Sequence, residues 1–300
     1  MAALGQTFLG TMGSVASYVI ADSMNLVRTA FPKTVRIETT NHCQADCSFC
    51  PRSTIGRDKG FMPQELFETV VQQCVVGGAR LLHLHGFGEP LLDKRLAERI
   101  AYCKQFGIPR VKIFTNGDLL RGETAQQLLE SGLDEIKISI DGADSQEFNL
   151  LRAGLDHAKV LENVTAFRKL RDESGKIFPR IVAATCQTSN QKQTEEMLDG
   201  VVDHIDFSRI HNWGGALGGK QVKRVRKPCD RLWRTMTVLV NGDIALCCLD
   251  YTGKVILGNV NEAPMEEIWK NDRYKELRKL HRDSRQDEIS LCKDCTKCFF

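Results

Sequence analysis

Between residues 34 and 210, runs with strand character alternate with runs of helical periodicity, and this alternation limits the possible folds more than any other feature. Alternating β and α units build a parallel sheet with right-handed crossovers, so the sequence predicts the α/β class. The six units are too few to close an eight-stranded barrel, but they can form an open, curved partial (β/α)6 barrel. The strand candidates span 34–40, 81–85, 111–115, 135–140, 180–186 and 204–210, and the helix candidates span 63–76, 92–106, 121–131, 158–173 and 191–200.

Three cysteines with the spacing C-x3-C-x2-C follow the first predicted strand: Cys43, Cys47 and Cys50, with Phe49 directly before the last. A closed tetrahedral zinc or iron–sulfur site needs four ligands, so a [4Fe–4S] cluster held by this loop keeps one iron without a protein ligand. That iron can bind a small molecule. A zinc loop completed by a distant residue and a disulfide framework are the alternatives, although zinc and redox pairs usually have the spacing C-x2-C.

A triad of this spacing, with an aromatic residue before its third cysteine, resembles the signature of the radical S-adenosylmethionine (SAM) enzymes. The resemblance implies a partial barrel with a [4Fe–4S] cluster that binds SAM, and it places Phe49 among the SAM-binding residues. Such enzymes use the reduced cluster to cleave SAM into methionine and a 5′-deoxyadenosyl radical, which takes a hydrogen atom from the substrate. The protein orients the substrate and excludes water and oxygen. An electron donor such as flavodoxin or ferredoxin is an expected partner.

A glycine-rich turn follows the second predicted strand, where sites form in sheets built from β/α units. The segment Gly86-Phe87-Gly88-Glu89-Pro90 matches the family's GGEP motif, except that Phe87 replaces a glycine. By resemblance, Gly88, Glu89 and Pro90 hold the amino group of SAM. Without the triad, the same segment would be a structural turn with a surface glutamate.

The ends of the third and fourth predicted strands carry Asn116, Ser139 and Asp141. In related enzymes these positions line the ribose and carboxylate of SAM, although Asn-Gly and Asp-Gly pairs also favour ordinary turns. Arg152 matches the arginine that holds the SAM carboxylate in relatives with a C-terminal cluster domain. A guanidinium fork binds a carboxylate through two hydrogen bonds at once, which lysine cannot do.

The sequence pattern changes after residue 229. Asn241-Gly242 lies between strand-like runs at 235–240 and 243–248, which predicts a β-hairpin, and a helix is predicted over 265–282. A second cysteine set accompanies these elements: Cys229, Cys247, Cys292 and Cys295.

A cysteine five residues after the hairpin glycine, followed by a distal cysteine pair, resembles the SPASM domains and the shorter twitch domains. This resemblance implies a small α+β domain whose four cysteines hold an auxiliary [4Fe–4S] cluster. Too few cysteines remain for the two auxiliary clusters of a full SPASM domain, so the twitch type fits better. Zinc in the same cage is the alternative. Cys298 could replace a neighbouring ligand.

Two further cysteines are candidate hydrogen donors. Cys186 ends the fifth predicted strand and Cys248 adjoins a proposed cluster ligand. A thiol can give a hydrogen atom to a carbon radical, and return to the opposite face would complete an epimerisation. Either thiol could equally be a bystander. Electron transfer to the auxiliary cluster would instead give oxidation, and a peptide-modifying maturase is a third alternative.

The sequence shows no added N-terminal domain for recognition of a leader peptide, which favours a small substrate such as a sugar or aminocyclitol. Side chains at strand ends and in the following loop are the candidates for contact with it: His83, His85, Arg209, His211, Asn212, Trp213 and Asp250. We expect an N-terminal helical extension over 1–32, the barrel over 33–210, a linker over 211–228 and the cluster domain over 229–300.

Composition narrows the class of protein further. The net charge of +3 is too small to indicate nucleic-acid binding, and the basic run at 220–227 lacks interleaved aromatic residues. A non-catalytic iron–sulfur or zinc adaptor for nucleic acid is therefore the weaker alternative. The chain has 12 cysteines but neither a secretory signal nor 18 consecutive apolar residues, which predicts a reducing, cytoplasmic setting without a membrane partner.

Overall fold

The structure is a computed structural model that describes residues 30–218 and 226–297. Its described strands form one nine-stranded open sheet in the order β6-β5-β4-β3-β2-β1-β7-β8-β9. Strands β1 to β6 are parallel, β7 is parallel to β1, and β7, β8 and β9 pair antiparallel. The strands are β1 Thr34–Ile37, β2 Leu81–His83, β3 Arg110–Thr115, β4 Glu135–Ser139, β5 Arg180–Thr185, β6 His204–Phe207, β7 Thr235–Val238, β8 Asp243–Ala245 and β9 Ile256–Asn259.

Helices connect the parallel strands, which confirms the α/β class and the open partial barrel. Several helices begin at an Asp or Asn whose side chain accepts a hydrogen bond from a backbone N–H of the first turn, as at Asp144, Asp156 and Asn190. The helices are α1 Gln64–Val76, α2 Leu96–Gln105, α3 Gly122–Glu130, α4 Ser145–Leu151, α5 His157–Glu173, α6 Gln191–Leu198, α7 Arg231–Arg234, α8 Met265–Lys270 and α9 Asp272–Arg282.

Alternation along each strand gives the sheet two different faces. Val35 and Ile37 of β1 are fully buried, and they share one hydrophobic core with side chains of the surrounding helices such as Phe67 of α1. Residues between them, such as Arg36, face the other way. The face opposite the core carries polar side chains at the level of Arg36, including His83 and Lys112.

The structure departs from the predicted boundaries in the C-terminal part. The helix predicted over 265–282 is two helices, because Asn271 has an extended backbone and its side chain accepts from the N–H of Tyr274 to cap α9. Strand β9 and helix α4 lie outside the predicted elements. The predicted helix over 92–106 begins only at Leu96, because Pro90–Leu92 forms a short 3-10 turn first.

Several predicted features fall on residues outside the described ranges. These are nearly all of the N-terminal extension over 1–32, most of the basic run at 220–227, and Cys298. Within residues 30–218 and 226–297, no helix is long and apolar enough to cross a membrane.

A buried carboxylate joins the barrel to the C-terminal hairpin. The Glu38 side chain is fully buried and accepts two hydrogen bonds from the Arg57 guanidinium, at 2.8 and 3.0 Å. It also accepts from the backbone N–H of Phe87 at 3.1 Å and from that of Val240 at 3.2 Å. Since Val240 follows β7, this one side chain holds the cysteine loop, the glycine-rich turn and the hairpin together.

Candidate SAM and iron–sulfur cluster site

The cysteine triad lies on the loop that follows β1. Cys43, Cys47 and Cys50 are all half-buried, and the backbone N–H of Cys50 donates to the carbonyl of Cys47 at 3.0 Å. Gly88 packs against this loop so closely that a Cβ atom there would lie 2.4 Å from the carbonyl oxygen of Thr40. The glycine is therefore required for the glycine-rich turn to reach the cysteine loop.

Burial raises the pKa of the Cys43 thiol to about 11, and it also raises the pKa of the Cys50 thiol. A cation that replaces the proton reverses this preference, because a thiolate paired with a metal is neutralised within the same pocket. The Cys47 sulfur accepts a hydrogen bond from Arg152 Nη1 at 3.6 Å. This donor set fits the iron–sulfur cluster that the sequence motif implies.

Glu89 is buried and lies between the ends of β2 and β3. Its carboxylate accepts from the hydroxyl of Thr115 at 2.6 Å and from the backbone N–H groups of Leu91 at 3.0 Å and Asn116 at 2.7 Å. Burial raises the pKa of Glu89 to about 7 despite these hydrogen bonds. An ammonium group beside it would favour the ionised form, which is the charge expected of a group that binds the amino group of SAM.

Asn116 is buried at the end of β3, and the oxygen of its side-chain amide accepts hydrogen bonds. Its Oδ1 accepts from Gln44 Nε2 at 3.4 Å and from the backbone N–H of Asp118 at 3.1 Å. Its Nδ2 is buried and has no hydrogen-bond partner among the described residues. A buried donor without a partner is costly, so this amide is suited to an acceptor on a bound ligand.

Arg152 and Asp141 form a buried ion pair behind the cysteine loop. Nε of Arg152 donates to Oδ2 of Asp141 at 2.7 Å, and Nη2 contacts the same oxygen. The guanidinium also lies 4.9 Å from the ring centre of Phe49. Oδ1 of Asp141 accepts from the backbone N–H groups of Cys186 and Gln187. With both oxygens occupied, Asp141 acts in this structure as the support that orients Arg152.

The remaining predicted rim residues lie nearby. Ser139 is half-buried at the end of β4, and Pro90 is buried at the start of the turn that Glu89 caps. Cys186 directly follows β5, and its sulfur lies 3.2 Å from the hydroxyl of Ser208. The structure thus places Cys186 at the mouth of the barrel.

The second cysteine set surrounds one small cavity between the hairpin and the C-terminal loop. The backbone N–H of Leu249 donates to the Cys247 sulfur at 3.4 Å. Burial raises the pKa of the Cys247, Cys292 and Cys295 thiols, and the charge of Arg231, which lines the same cavity, partly opposes this at Cys247 and Cys295. The cysteines that line it are Cys229, Cys247, Cys292 and Cys295. Four thiols around one cavity match the ligand set of a four-iron cluster.

Neither set is arranged for a single ion. Within the described ranges, no three Cys, His, Asp or Glu side chains converge on a point that could hold one metal ion. Thiolates of a [4Fe–4S] cluster each bind a different iron, so they need not converge on one point.

Cys248 is buried beside these ligands and faces the barrel. Burial raises the pKa of its thiol, but the charges of Arg36 on β1 and of Arg231 lower that pKa overall. Arg36 therefore lies close to the residue next to the proposed ligand Cys247. The two candidate hydrogen donors follow different strands: Cys248 follows β8 and Cys186 follows β5.

Sequence reasoning missed an aromatic wall between the two sites. Trp213 donates from its ring nitrogen to the carbonyl of Phe49 at 2.8 Å. The centre of its ring lies 4.3 Å from that of His211 and 5.4 Å from that of Phe87. The ring centre of Phe87 lies 6.0 Å from that of Tyr251. The replacement of the motif's first glycine by Phe87 was the signal in the sequence.

Two candidate substrate residues, Asn212 and Asp250, form hydrogen bonds with backbone groups instead. The amide of Asn212 donates to the carbonyl of Asp294 and accepts from the N–H of Thr296, which fixes the C-terminal cysteine loop. The fully buried Asp250 accepts from the N–H groups of Lys254 and Val255. Their polar atoms are thus engaged in supporting the site.

Known families match both parts of this arrangement. Residues 37–205 match the family model of the radical SAM superfamily. The chain belongs to the radical SAM superfamily. Residues 229–296 match the SPASM model, an iron–sulfur cluster-binding domain. This radical SAM enzyme therefore has the two domains that imply [4Fe–4S] clusters and SAM as cofactors.

Relatives of this radical SAM enzyme differ in how much of it they cover. It is 26% identical over 267 residues to the S-adenosyl-L-methionine-dependent 2-deoxy-scyllo-inosamine dehydrogenase of Niallia circulans, covering 87% of this chain and 91% of the relative. A probable GTP 3′,8-cyclase of Sulfolobus acidocaldarius is 32% identical over 178 residues, covering 59% and 52%. The AdoMet-dependent heme synthase of Methanosarcina barkeri is 24% identical, covering 82% and 84%.

Solved structures share the fold. A crystal structure of BtrN in complex with AdoMet and 2-DOIA superposes with a TM-score of 0.64 at 22% identity, covering 89% of this chain and 94% of that one. The structure of Streptococcus suis SuiB bound to S-adenosylmethionine gives a TM-score of 0.61 at 17% identity, covering 83% and 68%. At these identities the likeness concerns the fold alone.

Proposed function

We propose that this radical SAM enzyme oxidises a carbon that bears a hydroxyl group in a small cyclic substrate, of the sugar or aminocyclitol class. The observation that carries the proposal is the match to a 2-deoxy-scyllo-inosamine dehydrogenase over 87% of this chain and 91% of the relative. A match of that extent includes both the barrel and the auxiliary cysteine cage.

When bound, the clusters and SAM supply a 5′-deoxyadenosyl radical that removes a hydrogen atom and an acceptor for the electron that the substrate radical releases. The chain's own residues divide the remaining tasks. Glu89 and Arg152 orient the amino acid part of SAM, and Asn116 Nδ2, which has no partner among the described residues, binds its ribose. Trp213 and Phe87 exclude water between the two cysteine sets.

The proximity of the barrel and the second cysteine cage favours oxidation. Arg36 of the inner face lies close enough to Cys248, the residue next to the proposed ligand Cys247, for its charge to lower the pKa of that thiol against the effect of burial. An electron acceptor held there would allow a net two-electron oxidation to a ketone: the radical takes one hydrogen atom, the acceptor takes one electron, and solvent takes the hydroxyl proton. A reduced flavodoxin or ferredoxin is the proposed external electron donor.

The test is an anaerobic assay of the reconstituted enzyme with dithionite, SAM and 2-deoxy-scyllo-inosamine or related cyclitols. We expect one 5′-deoxyadenosine per ketone, and deuterium from a C–D substrate should appear in the 5′-deoxyadenosine. Cleavage of SAM without ketone formation from any member of a sugar and cyclitol panel would contradict oxidation.

Epimerisation stays the second candidate because two thiols lie near the barrel, that of Cys186 after β5 and that of Cys248 near Arg36. In that case solvent deuterium enters a product of unchanged oxidation state. Cys186→Ala or Cys248→Ala should then abolish deuterium incorporation while 5′-deoxyadenosine still forms. Equal incorporation in both variants would exclude cysteine as the donor.

The division of the chain remains part of the proposal: an extension over 1–32, a barrel over 33–210, a linker over 211–228 and a cluster domain over 229–300. Limited proteolysis tests it. Cleavage should concentrate in the linker, whereas cleavage within β7 or the barrel would argue for different boundaries.

A further inference from the structure

A row of basic and histidine side chains crosses the inner face of the barrel below the SAM site. In the sheet register, Arg36 of β1 is level with His83 of β2, and His83 is level with Lys112 of β3. On its other side Arg36 is level with Thr237 of β7. His85 lies two residues nearer the rim, a rise of about 6–7 Å along the strand, and its ring stacks on that of His83 at 5.3 Å.

This row has hydrogen-bonding atoms that no described residue uses. Nε of Arg36, Nε2 of His83, Nδ1 of His85 and the Thr237 hydroxyl are buried without a partner in the described ranges. Arg36 Nη2 is 3.3 Å from His83 Nδ1, so the two side chains form one connected group. Several buried, unsatisfied polar atoms on adjacent strands indicate a place for a ligand that completes their hydrogen bonds.

Among the described residues, one cation of the row lacks a carboxylate partner, although its charge also acts on the Cys248 thiol. Lys112 is paired with Glu135 at 3.4 Å, and Lys137 of β4 is paired with Asp206. Arg36 has no carboxylate partner within residues 30–218 and 226–297, and the nearby Glu38 is taken by Arg57. Burial and these cations lower the pKa of both histidines, so neither adds a charge of its own at neutral pH.

We infer that the row formed by Arg36, His83, His85 and Thr237, with Lys112 at its edge, binds an anionic group of the substrate, a phosphate or a carboxylate. An arginine fork and neutral imidazole donors are the usual partners of such oxygens. The inference rests on the proposed function and narrows its substrate class to an acidic sugar or cyclitol.

The position of the row means that a bound anion would orient the substrate. Lys112 lies four residues before the proposed SAM residue Asn116 along β3, so this part of the row lies deeper in the barrel than the rim. An anion fixed at the base would orient the ring so that a carbon at the opposite end faces the rim. The same interaction would disfavour substrates with an ammonium group at that end, since Arg36 would repel it.

Calorimetric titration of the anaerobically reconstituted enzyme tests the inference without a turnover assay. The probes are inorganic phosphate, acetate, and the pair myo-inositol and myo-inositol 1-phosphate. We expect at least one of the two simple anions to bind, and the phosphorylated ring to bind at least tenfold more tightly than the neutral ring. Arg36→Gln should weaken anion binding at least tenfold.

Arg273→Gln is the matched control, because it removes an exposed arginine of α9 far from the barrel, and its anion binding should be unchanged. His83→Asn gives a second variant should Arg36→Gln fail to fold, with an expected several-fold loss. Tighter binding of phosphate than of acetate would identify the anionic group of the substrate as a phosphate, and tighter binding of acetate would identify it as a carboxylate. Absence of any anion binding that depends on Arg36 or His83 would overturn the inference.

The outcome is separable from that of the proposed function. Anion binding lost in Arg36→Gln but not in Arg273→Gln, together with no ketone from any tested ring, would sustain this inference and contradict oxidation. Ketone formation from neutral rings as efficiently as from acidic ones would support oxidation and contradict this inference.

Discussion

At the scale of single residues, some polar side chains near the rim of the barrel orient their neighbours, and others have atoms suited to bind a ligand. Asp141 has both oxygens occupied, yet its contacts fix Arg152 with Nη1 directed at the Cys47 sulfur. Glu38 is likewise saturated, whereas Asn116 Nδ2 is buried and unpartnered among the described residues. Buried polar residues therefore have different roles according to whether their hydrogen bonds are already complete.

Cys43→Ala should abolish reductive cleavage of SAM, because two thiolates cannot retain a cluster with one open iron. Iron content and the absorbance near 400 nm should fall by about one cluster's share. Cys103→Ala, which alters a buried thiol in the core of α2, is the matched control and should retain both cluster signals. Normal 5′-deoxyadenosine formation by Cys43→Ala would refute the assignment of the triad.

Arg152→Lys should weaken SAM binding about tenfold or more, because a lysine keeps the charge but loses the fork that Asp141 orients. The dissociation constant is measured by equilibrium dialysis of the reconstituted enzyme. Arg168→Lys on α5 provides the same chemical change far from the rim. Unaltered affinity in Arg152→Lys would show that the fork is dispensable.

At the scale of elements, local signals in the sequence were sufficient to predict most of the barrel. Apolar alternation predicts β1 to β6 because one face of each strand is buried in the helical core. Capping signals were underused: Asn271 separates α8 from α9, although the hydrophobic pattern runs through both. Strand β9 was missed because it is short and depends on pairing with β8.

Asn271→Ala should destabilise the C-terminal part by about 1–2 kcal/mol, because the cap on Tyr274 and the hydrogen bond to the carbonyl of Leu257 are both lost. Thermal unfolding followed by circular dichroism measures the change. Glu276→Ala removes an exposed side chain from the same helix and should change stability by less than about 0.5 kcal/mol. A loss of equal size in both variants would mean that capping is not the cause.

At the scale of the whole molecule, the two domains share one sheet through the pairing of β1 with β7. The sequence could not predict this pairing, because about 200 residues separate the partners and no local pattern encodes which strand meets which. The same holds for the contact of Glu38 with Arg57 and Val240. The cysteine spacings predicted which residues form each set, but not that one arginine would connect the chamber to the second set.

Glu38→Gln should lower the free energy of unfolding by about 3 kcal/mol, because it leaves the Arg57 guanidinium buried without a countercharge. Denaturant titration measures the loss, and domain-specific probes should show both domains affected. Glu98→Gln, whose side chain is 70% exposed, should change stability by less than about 0.5 kcal/mol. A loss confined to one domain would contradict the role of Glu38 as a joint.

Cys229→Ala should separate the two halves of the reaction. The variant should lose about one cluster's share of iron, still form 5′-deoxyadenosine, and no longer convert substrate to ketone. Cys74→Ala, a buried core thiol of α1, is the control and should retain both activities. Full ketone formation by Cys229→Ala would exclude the second cysteine set from the oxidation.

Because β1 lies between β2 and β7, no other described strand pairs with its second edge until the ribosome has made residues 235–238. During that interval of synthesis, Thr34–Ile37 presents backbone donors and acceptors that can pair with strands of other chains. A gene fragment that ends before the hairpin should yield aggregates rather than a free-standing barrel.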